Sequence, residues 1–309
     1  MQLGFVGTGT MGNPMARCLI EAGHRLTVHD LRREATSNLC DLGARWADTP
    51  RATAQASEVV FTSLPGPAEV ERAMVESSTG ILSGLKSGGA CIDMTTNAPG
   101  VVRRIAEAGR ARGVEFLDAP VSGRPPGMTI MVGGPATTFA RYRPLLETMG
   151  RNIFHVGDTG AGCIAKLVTQ YLGYTNFVTS LEGLLIAAKA GIDLSTLAQI
   201  VPVSAGASRT FDNIPRSVLS REFTAGGTLD IVAKDLHLAC ELAREVGAPA
   251  HLGSIADDVM KRAQAQGWGQ RGFPIAARVL EAMAGVELRA PGVTYEGGYQ
   301  EKDPRRGQP

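Results

Sequence analysis

The sequence predicts an α/β N-terminal domain with a mainly parallel sheet, followed by an all-helical domain entered through one long connecting helix. Three observations predict it. Short apolar runs recur at about 2–6, 26–30, 58–64, 90–94, 114–118, 129–132 and 153–156, with helix-like segments between most of them. That is the spacing of βαβ units. A glycine-rich loop, Gly7 to Gly12, joins the first run to the first helix. Beyond Gly162 the strand pattern stops and apolar residues return every three or four positions instead.

The loop reads Gly7-Thr8-Gly9-Thr10-Met11-Gly12. It follows a strand, Leu3 to Val6, opens a helix, Met11 to Glu21, and precedes a second strand, Arg25 to Val28, that runs out at Asp30. This is the setting a Rossmann-type dinucleotide fingerprint requires. Gly7 allows the tight turn, Gly9 lets backbone approach a pyrophosphate, and Gly12 lets helix and strand pack closely. The helix N-terminus offers unpaired N–H groups and a positive dipole end to phosphates. Thr10 and Met11 complete the candidate cofactor-binding loop. Asp30, eighteen residues after Gly12, suits the two hydroxyls of an adenosine ribose and repels a 2′-phosphate, which favours NAD over NADP. Arg32 and Arg33 keep NADP open as an alternative. The bland reading is a glycine turn with a solvated aspartate.

In the second half, Ile164, Leu167, Val168, Tyr171, Leu172, Thr175, Val178, Leu181, Leu185 and Ala188 mark one long helix ending near Gly191. Further helices are expected at about 194–201, 230–246, 250–266 and 273–285, with no strand. The expected domains are 1–160 (dinucleotide binding), 161–289 (substrate and oligomerisation) and 290–309, a disordered tail of Pro, Gly and charge.

Composition narrows the function. With 31 basic and 30 acidic residues the net charge is +1, so there is no field for nucleic acid or an anionic membrane. No apolar run reaches a membrane span. Five cysteines without a C-x-x-C pair argue against a disulfide framework or zinc site. The five histidines show no metal spacing, so no metal is expected. The chain opens on the strand-like Gln2–Val6, no targeting segment is expected, and the cytoplasm is the expected location. The 38 glycines exceed the usual level of about 7%, and a few of them stand where chemistry needs them.

Further motifs follow in order. They are Gly4-Phe-Val-Gly-Thr-Gly-Thr-Met-Gly-Asn-Pro-Met-Ala16, Leu64-Pro65, Asp93-Met-Thr-Thr-Asn-Ala-Pro99, Asp118-Ala-Pro-Val-Ser-Gly123, Gly160-Ala-Gly-Cys-Ile-Ala-Lys166-Leu and Lys234-Asp235-Leu-His-Leu-Ala239. From residue 1 to about 285 the chain resembles the β-hydroxyacid dehydrogenase family of 3-hydroxyisobutyrate dehydrogenases and tartronate semialdehyde reductases, distantly related to 6-phosphogluconate dehydrogenase. The resemblance implies a Rossmann-type domain, a long helix and a helical domain that helps form a homodimer or homotetramer. It implies a small hydroxy acid substrate. Leu64 and Pro65 would line the adenosine side, Thr96 would lie near the nicotinamide, and Lys234 near the cofactor and cleft, although a solvated helix charge is an equal reading of Lys234.

The resemblance makes Lys166 the general acid/base. Hydride passes to the cofactor, so the protein must place the substrate and move the hydroxyl proton. A solvated lysine is a poor base at neutral pH, and burial makes lysine give up its proton more readily. Gln170, at i+4, shares a helix face with Lys166. Ser122 and Gly123 match the family's carboxylate-binding turn. The bland readings are a solvated lysine near a helix start and a polar turn after a strand. His237 reads as an ordinary packing or surface residue.

Three departures from the family stand out. The second glycine after Ser122 is Arg124, and the following loop, Arg124-Pro125-Pro126-Gly127, is shorter. Thr169 and Gln170 stand where an asparagine is usual. Ala225-Gly226-Gly227 replaces a Pro-Gly-Phe. A shorter loop and a lost ring leave room, and Arg124 adds charge. The expected substrate is larger or more anionic than 3-hydroxyisobutyrate. An imine reductase-like enzyme and a catalytically silent cofactor-binding protein are the alternatives, and Lys166 weighs against both.

Overall fold

Strands buried on both faces read as continuous apolar runs, and those at Gln2–Val6, Val59–Thr62 and Ala90–Asp93 do so. The structure, a computed structural model, describes residues 1–224 and 226–290. In chain order the first elements are β1 (Gln2–Val6), α1 (Gly12–Glu21), β2 (Arg25–His29), α2 (Ser37–Asp41), β3 (Arg45–Trp46), α3 (Pro50–Gln55), β4 (Val59–Thr62) and α4 (Pro67–Val75). Then come β5 (Ala90–Asp93), α5 (Pro99–Arg110), β6 (Glu115–Asp118), β7 (Val121–Ser122), β8 (Met128–Gly133), α6 (Ala136–Glu147) and β9 (Gly150–Gly157). Three of the helices begin with proline, at Pro50, Pro67 and Pro99, where its missing N–H costs nothing.

Among the described residues nine strands make one sheet, in the order β3-β2-β1-β4-β5-β6-β8-β7, with β9 paired to β8. The strands from β3 across to β6 are parallel. β8 then runs antiparallel to β6 and β7 and parallel to β9. Alternation along the strands feeds two cores. Phe5, Phe61, Ile92 and Leu117 pack with Met15 and Leu19 on one face. Val6, Val60 and Cys91 pack with Val70, Met74, Val102 and Ile105 on the other.

The helical elements are α7 (Ala161–Lys189), α8 (Leu194–Ile200), α9 (Leu229–Glu245), α10 (His251–Ala265) and α11 (Ala277–Ala284). α7 ends in a Schellman motif: the Ile192 N–H donates to Ala187 O (2.9 Å) and the Gly191 N–H to Ala188 O (3.1 Å), with Gly191 at φ +82°. Asp193 caps α8 by accepting the Thr196 N–H at 2.8 Å. Phe177, Leu181, Phe211, Val218, Leu236, Met260 and Ile275 belong to one apolar core.

The chain divides into two compact units: Met1–Gln170 with Glu241–Ala248, and Tyr171–Cys240 with the chain from Pro249 onward. Two stretches differ from the sequence expectation. The stretch after about 201, to which the sequence assigned no element, holds short turns of helix at Val201–Val203, Phe211–Asn213 and Pro215–Leu219. They are too short, and too broken by Pro202 and Pro215, to show a period. The helix expected at 273–285 is a 3₁₀ turn, Phe273–Ala276, followed by α11. Ala290, placed at the start of the expected tail, is buried and its N–H reaches Leu219 O at 3.3 Å. The rest of that tail, 291–309, lies outside the described residues. Among the described residues no helix is long and apolar enough to cross a membrane.

At the β1–α1 junction, a Cβ on Gly12 would sit 1.9 Å from the Gly7 carbonyl oxygen. Gly12→Ala should therefore cost about 1–3 kcal/mol, the usual range for overpacking. Urea unfolding checks this, and a wild-type midpoint would contradict it.

Candidate active site

The glycine loop lies where β1, β4 and α1 converge. Gly7 has φ +90°, and its N–H donates to His29 O at 2.9 Å. A Cβ there would lie 2.3 Å from Ser63 O, so only glycine fits. A Cβ on Gly9 would meet nothing within 4 Å among the described residues, which leaves that backbone open to a ligand. Thr10 is exposed and Met11 half-buried beside it. The first turn of α1 carries no acidic residue, so nothing there opposes an anion.

Asp30, just past β2, is held by this loop. Its Oδ2 accepts the Thr8 N–H at 2.8 Å, and its Oδ1 accepts the Arg32 N–H at 2.9 Å. Of the two arginines that kept NADP open, Arg32 thus lends Asp30 its amide. Arg33 lays its guanidinium over the Trp46 ring, 5.6 Å from the centroid. An open glycine backbone, a helix start free of negative charge and a carboxylate at the end of the next strand fit a dinucleotide. Leu64 is half-buried and Pro65 exposed in the turn after β4, where the Leu64 N–H donates to Thr95 Oγ1 at 3.0 Å. Thr96 is half-buried beside it.

Sequence reasoning passed over a network at the carboxyl ends of β5 and β6. Asp93 and Asp118 are register partners there and are both fully buried. Asp93 accepts from Thr62 Oγ1 (2.8 Å), the Thr95 N–H (3.1 Å) and Asn97 Nδ2 (3.1 Å). Burial outweighs these donors and pushes its carboxyl up. Asp118 accepts the Gly160 N–H on Oδ1 at 2.7 Å and the Cys163 N–H on Oδ2 at 2.8 Å. Burial pushes it up to about 6, against the pull of those amides, with the Asp93 charge adding to the rise. The available signal was an aspartate ending an apolar run twice, at Cys91-Ile92-Asp93 and Phe116-Leu117-Asp118.

From Asp118 the chain runs directly into the expected carboxylate turn. Ser122 is exposed and pairs with Thr129 across β7 and β8. Gly123 has φ +87°, a conformation that favours glycine. Arg124 is exposed, and its carbonyl accepts the Gly127 N–H at 3.0 Å.

Lys166, on the second turn of α7, is only 6% exposed, so it is not a solvated helix lysine. Its Nζ donates to Gln170 Oε1 at 2.9 Å. Thr169 instead turns its hydroxyl back to Lys166 O at 2.8 Å, so Gln170 is the neighbour whose side chain meets the lysine head. Lys234 belongs to the second unit, where its Nζ lies 2.8 Å from Asp235 Oδ1. His237 Nδ1 lies 3.4 Å from Asp257 Oδ2, which Lys261 Nζ also meets at 2.6 Å. Among the described residues no group of three or more His, Cys, Asp or Glu could hold a metal ion. Of Ala225-Gly226-Gly227, Ala225 lies outside the described residues. The Phe273 ring packs against Gly226, 2.6 Å from where its Cβ would stand, whereas a Cβ on Gly227 would meet nothing within 4 Å among the described residues.

Known proteins resemble the chain over most of its length. Residues 2–157 match the family profile described as the NAD binding domain of 6-phosphogluconate dehydrogenase. Residues 160–280 match the one described as NAD-binding of NADP-dependent 3-hydroxyisobutyrate dehydrogenase. A 3-hydroxyisobutyrate dehydrogenase of Pseudomonas aeruginosa is 37% identical over 82% of this chain and 89% of its own. A 2-(hydroxymethyl)glutarate dehydrogenase of Eubacterium barkeri is 32% identical over 93% of this chain and 97% of its own. The crystal structure of a 3-hydroxyisobutyrate dehydrogenase from Salmonella typhimurium superposes with a TM-score of 0.81 at 30% identity, covering 90% of this chain and 99% of the other. An imine reductase from Myxococcus stipitatus, at 21% identity and a TM-score of 0.61, shares the fold alone. The chain belongs to the NAD(P)-dependent β-hydroxyacid dehydrogenase family and is an oxidoreductase.

Proposed function

We propose that this enzyme interconverts a β-hydroxy acid and its semialdehyde or keto acid, with Lys166 as general acid/base. The observation that carries the reading is a buried lysine whose Nζ is aimed by a hydrogen bond to Gln170 Oε1. A lysine kept out of water and held in one rotamer suits proton transfer at a fixed point. Bound NAD(P) supplies the hydride acceptor, or the donor in the reverse direction. In oxidation, a neutral Lys166 takes the hydroxyl proton. In reduction, its ammonium form protonates the carbonyl oxygen. Ser122 and the backbone amides at Gly123 hold the substrate carboxylate by charge-assisted hydrogen bonds. Gln170 keeps the lysine head in place and offers the substrate hydroxyl a partner. Gly7, Gly9, Thr10, Met11 and Gly12 hold the pyrophosphate, Asp30 the adenosine ribose, and Leu64, Pro65 and Thr96 the rest of the cofactor. For Lys234 a cofactor role rests on the resemblance of its helix signature.

Two finer readings belong to the same proposal. Asp30, already oriented by two backbone amides, favours NAD. The substrate is larger or more anionic than 3-hydroxyisobutyrate, because Arg124 stands exposed beside the carboxylate turn. The name of the Eubacterium barkeri relative denotes a hydroxymethyl dicarboxylate, a substrate of that kind. Assembly as a homodimer or homotetramer in the cytoplasm completes the proposal. Large apolar side chains left exposed on α7 (Ile186) and on α10 (Leu252, Ile255) suit burial between copies.

Lys166→Ala should lower turnover by about 10²–10⁴-fold, the scale of general acid/base help, with cofactor binding intact. Unchanged steady-state turnover would sink the mechanism. Asp30→Ala should erode the NAD-over-NADP ratio of kcat/KM by about 1.5–3 kcal/mol, the worth of hydrogen bonds to a charged group. A wild-type enzyme that already prefers NADP would remove that role from Asp30. Across a series of β-hydroxy acids of rising size and charge, kcat/KM should peak beyond 3-hydroxyisobutyrate, and a peak at the smallest acid would refute the larger pocket.

A further inference from the structure

A helix start buried in a protein needs acceptors for its first N–H groups. The residues before and within the first turn of α7, Gly160, Ala161 and Gly162, bring no side chain able to supply one. The acceptor comes from forty residues earlier. Asp118 Oδ1 takes the Gly160 N–H at 2.7 Å and Oδ2 the Cys163 N–H at 2.8 Å. Backbone fits around this pair with no space for side chains. A Cβ on Gly162 would lie 2.4 Å from Met131 O and 2.6 Å from Asp118 O. A Cβ on Gly133 would lie 2.5 Å from Asp118 Oδ1 and 2.7 Å from the Gly162 amide nitrogen.

We propose that Asp118 is a positioning residue for the reaction: its carboxylate pins the first turn of the Lys166 helix to the strand that runs on into Ser122 and Gly123, and so sets the reach of Lys166 Nζ over the substrate turn. This rests on the acid/base reading of Lys166. Four residues of chain lead from Asp118 to Ser122, and three residues of helix, a rise of about 4.5 Å, lead from Cys163 to Lys166. The two ends of the reaction thus share one anchor.

The pin needs the ionised carboxylate. A protonated one turns an O–H toward one of the two amides and keeps a single good acceptor. The groups facing Asp118 are the Asp93 carboxyl on β5 and the Cys163 thiol on α7. Arg103 on α5 lies beyond Gly160, its Nε reaching Thr159 O at 3.4 Å. β8, Met128–Gly133, carries no titratable side chain. Because burial holds Asp118 near 6, the pin loosens as pH falls through that value. Stability moves the other way. A carboxyl whose folded pKa is raised contributes stability that is present at low pH and lost as pH rises through the folded value. A purely structural role would make activity follow stability, whereas a positioning role makes them part.

Asp118→Asn, compared with wild type from about pH 5 to 9, tests this. Its kcat should fall about 10–100-fold, the scale of an ångström-sized misplacement. The NAD⁺ dissociation constant should be unchanged, and the acid limb of kcat that wild type shows near pH 6 should be absent. A variant with wild-type kcat and pH profile overturns the proposal, and so does one whose kcat and NAD⁺ binding fall in equal proportion. If the variant does not fold, the wild-type enzyme decides. The Gly160 and Cys163 amide resonances of ¹⁵N-labelled protein should titrate together with a midpoint of about 6, shared by the acid limb of kcat. Flat resonances, or a limb at another midpoint, overturn it. A fully active Lys166→Ala would instead sink the acid/base reading, and the amide titration would be unaffected by that failure.

Discussion

The bond between a buried carboxylate and a backbone amide does most to hold this site together. An aspartate taken out of water must find donors, and at the carboxyl edge of the sheet the nearest donors are the amides of the loops that carry the chemistry. Asp118 takes two from the start of α7. Asp93, its register neighbour, takes one from Thr95 along with two side-chain donors. Asp30, just past β2, takes one from Thr8 inside the glycine loop and one from Arg32. In each case a strand end fixes a loop through carboxyl oxygens that accept its backbone amides, bonds that are roughly twice as strong when the carboxyl is ionised.

These bonds depend on backbone coming close, and glycine permits that. The chain has 38 glycines, and they do different things. At Gly12, Gly133 and Gly162 a Cβ would collide with backbone atoms, so their value is the absence of a side chain. A Cβ on Gly9 or on Gly227 would meet nothing within 4 Å among the described residues, so a collision is not what calls for glycine there. The loop from Gly7 to Gly12 holds both kinds within six residues.

How much of this the sequence revealed depends on distance along the chain. The G-x-G-x-x-G loop was legible because strand, turn and helix lie within some thirty residues and each glycine has a local reason. The Lys166–Gln170 contact was legible because helical spacing alone puts i and i+4 on one face. The hold of Asp118 on Gly160 and Cys163 spans more than forty residues, and no periodicity records such a pairing. The turns between 201 and 219 escaped for the opposite reason, being too short to establish a repeat. The burial of Ala290, read as the start of a loose tail, is set by a tertiary contact with Leu219.

Asp30 has a consequence for any redesign of coenzyme preference. The oxygen that accepts the Thr8 amide belongs to the same carboxylate that would meet the ribose. On the proposed reading, exchanging that carboxylate for a smaller or basic side chain would remove a repulsion from a 2′-phosphate, and it would also strip the loop of the acceptor for the Thr8 amide. That reading couples selectivity and loop rigidity through one side chain. A redesign that changes one without replacing the other trades specificity for a looser grip on either coenzyme. The replacement therefore has to bring its own acceptor for the Thr8 amide.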